Sequence, residues 1–274
     1  NGVKKKSPRK DNTLENLKLK LLGLDESNIK FLKNSGYNNL FIKKALKKQY
    51  EGRDWPEKGE TMIGYQRLTN LEFCVKDTLE HNIDGDLIET GVWRGGACIL
   101  MIAILRKYME LHKKVWVADS FDGLPEPSSD KYKHDKNGKL HTFKDLRVSK
   151  KEVENNFKKY NLLNHQVKFL LGWFKDTLPE APFGKLSVLR VDGDMYESTM
   201  DALFYLYPKL SIGGYCIIDD WGAIPACKKA VEDYRNVFGI EEPIETIDWT
   251  GVYWKKKMAI TTISRETFDK LIKL

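Results

Sequence analysis

The spacing of apolar residues divides the chain into stretches of different character. From residue 13 apolar positions recur at helical intervals: Leu14, Leu17, Leu21 and Leu24, then Ile29, Phe31 and Leu32, then Phe41, Ile42, Ala45 and Leu46. This predicts three short amphipathic helices, broken at Gly23 and at "NSGYNN". From residue 70 helical and strand-like segments alternate. "LEFCVKDTLE", "ACILMIAILRKYMEL", "SKKEVENNFKKY", "STMDALFYLYPKL" and "PACKKAVEDYRNVF" read as helices. "DLIET" (86–90), "VWVAD" (115–119), "VKFLL", "SVLRV" and "GYCIID" read as strands, with two more expected near "IETID" and "VYWKKKMAI". The alternation predicts an α/β fold, a mostly parallel seven-stranded sheet with helices on both faces and ligands beyond the carboxyl ends of its strands. Residues 1–12 read as a basic flexible tail, 13–60 as an N-terminal helical segment expected to cover the ligand cleft or to decorate it, and 61–274 as the main domain.

Composition narrows the class. A chain of 274 residues, 41% hydrophobic and 11% aromatic, can bury one full core. No apolar run approaches the ~18 residues of a membrane span, and the amino terminus lacks a secretory apolar region, so the expected location is cytoplasmic, away from membranes. The net charge of +7 is concentrated at one end: residues 1–50 hold 13 Lys/Arg against 4 Asp/Glu, and the remainder 33 against 35. A nearly neutral body argues against a nucleic-acid partner. Cys74, Cys98, Cys216 and Cys227 are widely spaced and form no C-x-x-C pair, which predicts reduced packing residues, neither zinc ligands nor disulfides.

The candidate chemistry sits at predicted strand tips. "IETGVWRGGACIL" places glycines between the first strand and its helix, where backbone can approach a ligand. Trp93 stands at the second glycine position of the dinucleotide fingerprint and would obstruct a pyrophosphate, and no P-loop is present. Asp119, 28 residues after Gly91 at the tip of the second strand, can accept from both hydroxyls of a ribose, and Glu89 can accept from an ammonium group or orient the loop. Two acids at neighbouring tips with a glycine turn between them suggest S-adenosylmethionine. Each acid alone could equally be a cap or turn residue.

"TMIGYQRLTNLEFCV", "GDLIETGVWRGGACILM", "VWVADSFDGLPEP", "LGWFKDTLPEAP", "LRVDGDMYESTMDALFYLYPKLSIGGYCIIDDWGAIPACKKAVEDYR" and "IDWTGVYWKK", in this order from Thr61 to Trp254, resemble the macrocin O-methyltransferase family. The resemblance implies the class I methyltransferase fold, S-adenosylmethionine and magnesium as cofactors, and methylation of a sugar hydroxyl on a natural-product glycoside. It implies cofactor contacts by Thr61, Met62, Glu89, Gly91, Trp93, Arg94, Asp119, Ser120, Ser149, Gly172, Trp173 and Phe174. It implies magnesium ligation by Asp192, Asp219 and Asp220, with Asp194 as general base. It also implies a homodimer or homotetramer. The chain departs from the family over its first 50 residues and in the loop 124–148, which shapes the acceptor pocket in the family, so the acceptor stays open between a finished glycoside and a nucleotide sugar.

The acid set makes chemical sense. A sugar hydroxyl is a poor nucleophile, and a hard divalent cation among carboxylates acidifies it while leaving sites for substrate. Asp194 can then take the proton. The same acids could instead be caps and turn residues, although three carboxylates forced together without a cation would raise each other's pKa. His141 could touch substrate or lie on the surface, and "DWTGVYW" could stack on a sugar or pack the core. Two other functions share these features. A magnesium-dependent methyltransferase of a catechol-like or polyketide hydroxyl would show an aromatic cleft with few polar groups. A non-catalytic binding module should have lost one of the four acids, and none is missing.

Overall fold

A computed structural model describes residues 13–128 and 132–272; the expected basic tail, 1–12, lies outside the described residues. Helices α1 (Thr13–Leu21), α2 (Glu26–Asn34), α3 (Asn39–Tyr50) and α4 (Gly64–Glu80) lead into the alternating part of the chain. That part runs β1 (Asp86–Thr90), α5 (Gly96–Lys107), β2 (Val115–Asp119), α6 (Lys150–Lys159), β3 (Val167–Leu171), α7 (Phe174–Thr177), β4 (Leu186–Val191), α8 (Tyr196–Leu206), β5 (Leu210–Ile218) and α9 (Pro225–Phe238). β6 (Glu245–Thr246), β7 (Val252–Lys255) and α10 (Arg265–Leu271) follow.

The strands form one sheet in the order β3-β2-β1-β4-β5-β7-β6. The first five are parallel to their neighbours, and β7 runs antiparallel to β5 and β6. The order reverses between β1 and β4, so the connections leaving these two strands depart in opposite directions and a crevice opens at their carboxyl ends. Central β4 is buried along its whole length, as a strand covered on both faces must be. Its alternate residues feed two cores. Val188 packs with α1, α4, α5 and α6 through Leu14, Leu71, Ile99 and Val153. Leu189 and Val191 pack with α8, α9 and α10 through Met200, Val231 and Phe268. Buried Trp254 closes the second core at β7.

The expected elements are present with some shifts. The strand expected over "VYWKKKMAI" stops at Lys255, and "IETID" contributes only Glu245–Thr246. α4 begins at Gly64, seven residues before the predicted start, and α10 was not anticipated. α10 buries a single side chain, Phe268, so it carries almost no apolar period to read. Of the N-terminal helices, α1 is tied down by Lys18. Its buried ammonium meets Glu15 and Glu72 and lies over the Tyr65 ring. α2 buries nothing and α3 only Ile42. All four cysteines are buried free thiols, and no described helix is long and apolar enough to cross a membrane.

Candidate active site

The turn after β1 is built so that two strand tips nearly touch. Gly91 has φ +81°, and a Cβ there would lie 1.8 Å from the carbonyl oxygen of Asp192, which follows β4. Only glycine permits this approach. The Gly91 N–H donates to the Ala118 carbonyl and the Asp192 N–H to the Thr90 carbonyl, both at 2.9 Å, fixing the tips of β2, β1 and β4 in register. Trp93, also at positive φ (+47°), donates from its indole N–H to the Asp145 carbonyl at 2.8 Å, fastening the loop 124–148 to the glycine turn.

A cleft of about 400 Å³ opens over these tips. Of the residues expected at the cofactor, Thr61, Met62, Glu89, Gly91, Trp93, Asp119, Ser120, Gly172, Trp173 and Phe174 all line it. Asp119 is held by backbone: Val92 N–H donates to Oδ2 and Phe121 N–H to Oδ1, each at 2.8 Å, leaving further lone pairs on both oxygens. Burial raises its pKa. Glu89 is buried against Arg190 and accepts from the Cys98 thiol at 2.9 Å; burial pushes its pKa up to about 7 in spite of the guanidinium. Arg94 and Ser149 are placed elsewhere. Arg94 Nη1 bonds the carbonyls of Pro56 (3.0 Å), Glu57 (3.2 Å) and Gly59 (2.9 Å), so it fastens the segment that carries Thr61 and Met62. Ser149 is exposed and caps α6, accepting from the Glu152 N–H at 3.2 Å.

The four acids line the same cleft, next to the Gly91 turn that lies against Asp192. One carboxylate oxygen each from Asp192, Asp194 and Asp220 lie within 4.8 Å of one another. Asp219 adjoins them, but its oxygens are taken by two buried guanidiniums, Oδ1 by Arg190 and Oδ2 by Arg67. Arg190 also meets Asp192 at 2.8 Å, and Arg67 meets Asp248 at 3.0 Å and the Gly52 carbonyl at 3.1 Å. Burial first, and then the neighbouring carboxylates, raise the pKa values of Asp192, Asp194 and Asp220. Asp220 Oδ2 is buried with no hydrogen-bond partner among the described residues. An orphaned carboxylate oxygen in a crowded acid cluster is a position that a hard cation satisfies, and an all-oxygen donor set suits magnesium.

The arginines were not foreseen. Arg190 had a readable signal, a cation inside the apolar run "SVLRV", since a buried charge demands partners. Arg67 had none, because its role depends on α4 lying across the tips of β4 and β5. Trp249 lines the cleft, with the Arg53 guanidinium 4.3 Å above its ring, while Trp254 of the same aromatic stretch is core. A second cavity of about 350 Å³ is lined by Asp194, Met195, Ile224 and the rings of His134 and His141.

The family described as Macrocin-O-methyltransferase (TylF) matches residues 16–256. A demethyldecarbamoylnovobiocin O-methyltransferase of Streptomyces niveus is 55% identical over 207 residues, 75% of this chain and 79% of that protein. A mycinamicin III 3''-O-methyltransferase of Micromonospora griseorubida is 50% identical over 208 residues, 75% and 82% of the two chains. The solved structure of the O-methyltransferase NovP superposes with a TM-score of 0.81 at 48% identity, covering 89% of this chain and 98% of that one.

Proposed function

We infer the reaction from one premise: the chain belongs to the macrocin O-methyltransferase family, and its fold makes it an S-adenosylmethionine-dependent O-methyltransferase. Its acceptor is a sugar hydroxyl of a small-molecule glycoside. The observation that carries this reading is that a single cleft is lined both by the cofactor-side residues and by the acid cluster, with the Gly91 turn lying directly against Asp192.

S-adenosylmethionine supplies an electrophilic methyl group, for which the glycine turn, Asp119 and Gly172–Phe174 form the seat and Thr61–Met62 the cover. Asp192, Asp219 and Asp220 would hold magnesium, with Asp219 oriented by Arg67 and Arg190; each carboxylate oxygen engaged by a guanidinium retains a second lone pair. Bound there, the ion supplies Lewis-acid stabilisation of the developing alkoxide. Asp194 takes the hydroxyl proton. Burial raises its pKa, which favours proton acceptance, while a cation on the neighbouring aspartates would keep it ionised beforehand. Most of the rate then comes from alignment of the oxygen with the methyl carbon.

The segment 13–60 serves as the lid, since Gly52–Trp55 line the cleft and Arg94 anchors residues 56–59 at its end. Exposed Phe31, Tyr37, Leu40 and Phe41 on and between α2 and α3 support assembly into a homodimer or homotetramer. The proposed location is the cytoplasm, where the cofactor is made and thiols such as these stay reduced. A catechol-like acceptor is disfavoured because Arg53, Asp54, Arg67, Glu126, Lys175 and Glu197 give the cleft many polar groups. The test is labelled methyl transfer to a panel containing demethyldecarbamoylnovobiocin, mycinamicin III, a nucleotide-linked rhamnose and a simple catechol. Transfer to a glycoside sugar supports the reading, and transfer to the catechol alone overturns it.

A further inference from the structure

Helix α8 begins two residues after Asp194 and has no side-chain cap of its own. Its N-cap residue is Met195, whose side chain makes no capping hydrogen bond. The turn before it is strained: Asp194 sits at φ +56°, and the Met195 N–H reaches back to the Gly193 carbonyl at 2.5 Å, a γ-turn of the sparsely populated hand. A non-glycine residue persists in such a conformation only where its surroundings over-determine it. The missing cap arrives from a distant part of the chain. Asp135, 4% exposed, accepts from the Tyr196 N–H through Oδ1 (2.7 Å) and from the Glu197 N–H through Oδ2 (3.0 Å). Its charge also lies at the positive end of the α8 dipole. Around it the rings of Tyr132 and His134 pack on Tyr196, with centroids 5.9 and 5.2 Å away.

Asp135 belongs to the loop 124–148 on the acceptor side of the cleft, the same loop that Trp93 ties to the glycine turn through Asp145. One carboxylate therefore joins the acceptor loop to the backbone that aims Asp194. We propose that Asp135 is a positioning residue for methyl transfer: as the N-cap of α8 supplied from the acceptor loop, it holds the Asp194 turn in its strained conformation and makes the ordering of that loop and the aiming of the base a single event. This rests on Asp194 acting as the base. Among the described residues no hydrogen bond joins Asp135 to the cofactor-side residues or to the acid cluster, so its effect should fall on turnover and acceptor use while cofactor affinity stays unchanged.

The test compares wild type with Asp135→Ala and Asp135→Asn. Hydrogen–deuterium exchange is followed over peptides spanning 132–146 and 192–200, S-adenosylhomocysteine binding is measured by calorimetry, and kcat and KM are measured with demethyldecarbamoylnovobiocin. The alanine variant should exchange faster in both peptides together and lose about ten- to a hundredfold in kcat, with S-adenosylhomocysteine affinity unchanged. Asparagine, whose one carbonyl oxygen can replace part of the cap, should fall between. If alanine fails to fold, the asparagine variant is read against wild type by the same criteria. Unchanged exchange in both peptides, acceleration in one alone, or an equal loss of cofactor affinity and turnover would overturn the proposal. Exchange does not depend on any acceptor, so an inactive wild type would count against the sugar-acceptor reading while leaving the loop–helix coupling decided by exchange.

Discussion

Replacing Arg190 by Met removes the cation shared by three carboxylates. Its guanidinium is 1% exposed and meets Glu89, Asp192 and Asp219. After the change Asp219 keeps Arg67, Glu89 keeps only the Cys98 thiol, and Asp192 loses its cation. Taking one partner from a buried ion pair costs about 3–5 kcal/mol, a large part of the ~5–15 kcal/mol that holds a domain together. The loss has a definite pH dependence. The wild-type Glu89 carboxyl is raised to about 7 by burial, with Arg190 the main opposing influence; without Arg190 it rises further. A carboxyl with a raised folded pKa binds a proton that the unfolded chain has released, so its fold loses stability as pH climbs through that range. Wild type has given up this proton above about pH 7 while the variant still holds it, so the gap between them widens there, by at most about 1.4 kcal/mol per pH unit. Urea unfolding in chelator at pH 6 and pH 9 should show a loss of about 3 kcal/mol or more at pH 6 and a larger one at pH 9. Arg190→Lys should rescue little, because one ammonium cannot reproduce the fork. A loss below about 1 kcal/mol, or one that shrinks from pH 6 to pH 9, would refute the view that this arginine neutralises the strand tips.

Three further outcomes follow from the same geometry. Asp194→Asn should bind S-adenosylhomocysteine as wild type does while turnover falls by about a hundredfold or more; normal turnover would remove Asp194 from the role of base. Gly91→Ala, driving a Cβ toward the Asp192 carbonyl from a positive-φ position, should cost about 3 kcal/mol or more in thermal or denaturant unfolding and abolish cofactor binding in calorimetry. Arg94→Gln, which frees the segment before Thr61 from its three carbonyl anchors, should weaken cofactor binding by about tenfold and leave the unfolding midpoint nearly unchanged.

The sheet was readable because its strands are short apolar runs bounded by breakers: "DLIET" and "VWVAD" coincide with β1 and β2. α9 runs from the predicted Pro225 to Phe238, with Pro at its start and Gly239 at φ +60° beyond its end. α10 was missed because one buried Phe268 makes no period, and β6 shrank to two residues at an exposed sheet edge. At the site, acids at strand tips could be read from their positions in the chain. Their partners could not. Arg67 reaches Asp219 across 152 positions and Asp135 reaches Tyr196 across 61, and no local pattern encodes either contact. Arg94 and Ser149 show the same limit from the other side. Arg94 falls inside a matching motif and Ser149 between two of them, and in this structure one fastens a neighbouring segment and the other caps a helix.

Methyl transfer as proposed depends most on a hard cation at Asp192, Asp219 and Asp220 beside the base. Labelled methyl transfer from S-adenosylmethionine to a glycoside acceptor, run first in excess chelator and then with magnesium restored, tests it directly. Transfer should fall to background in chelator and return with magnesium. Undiminished transfer in chelator would contradict it.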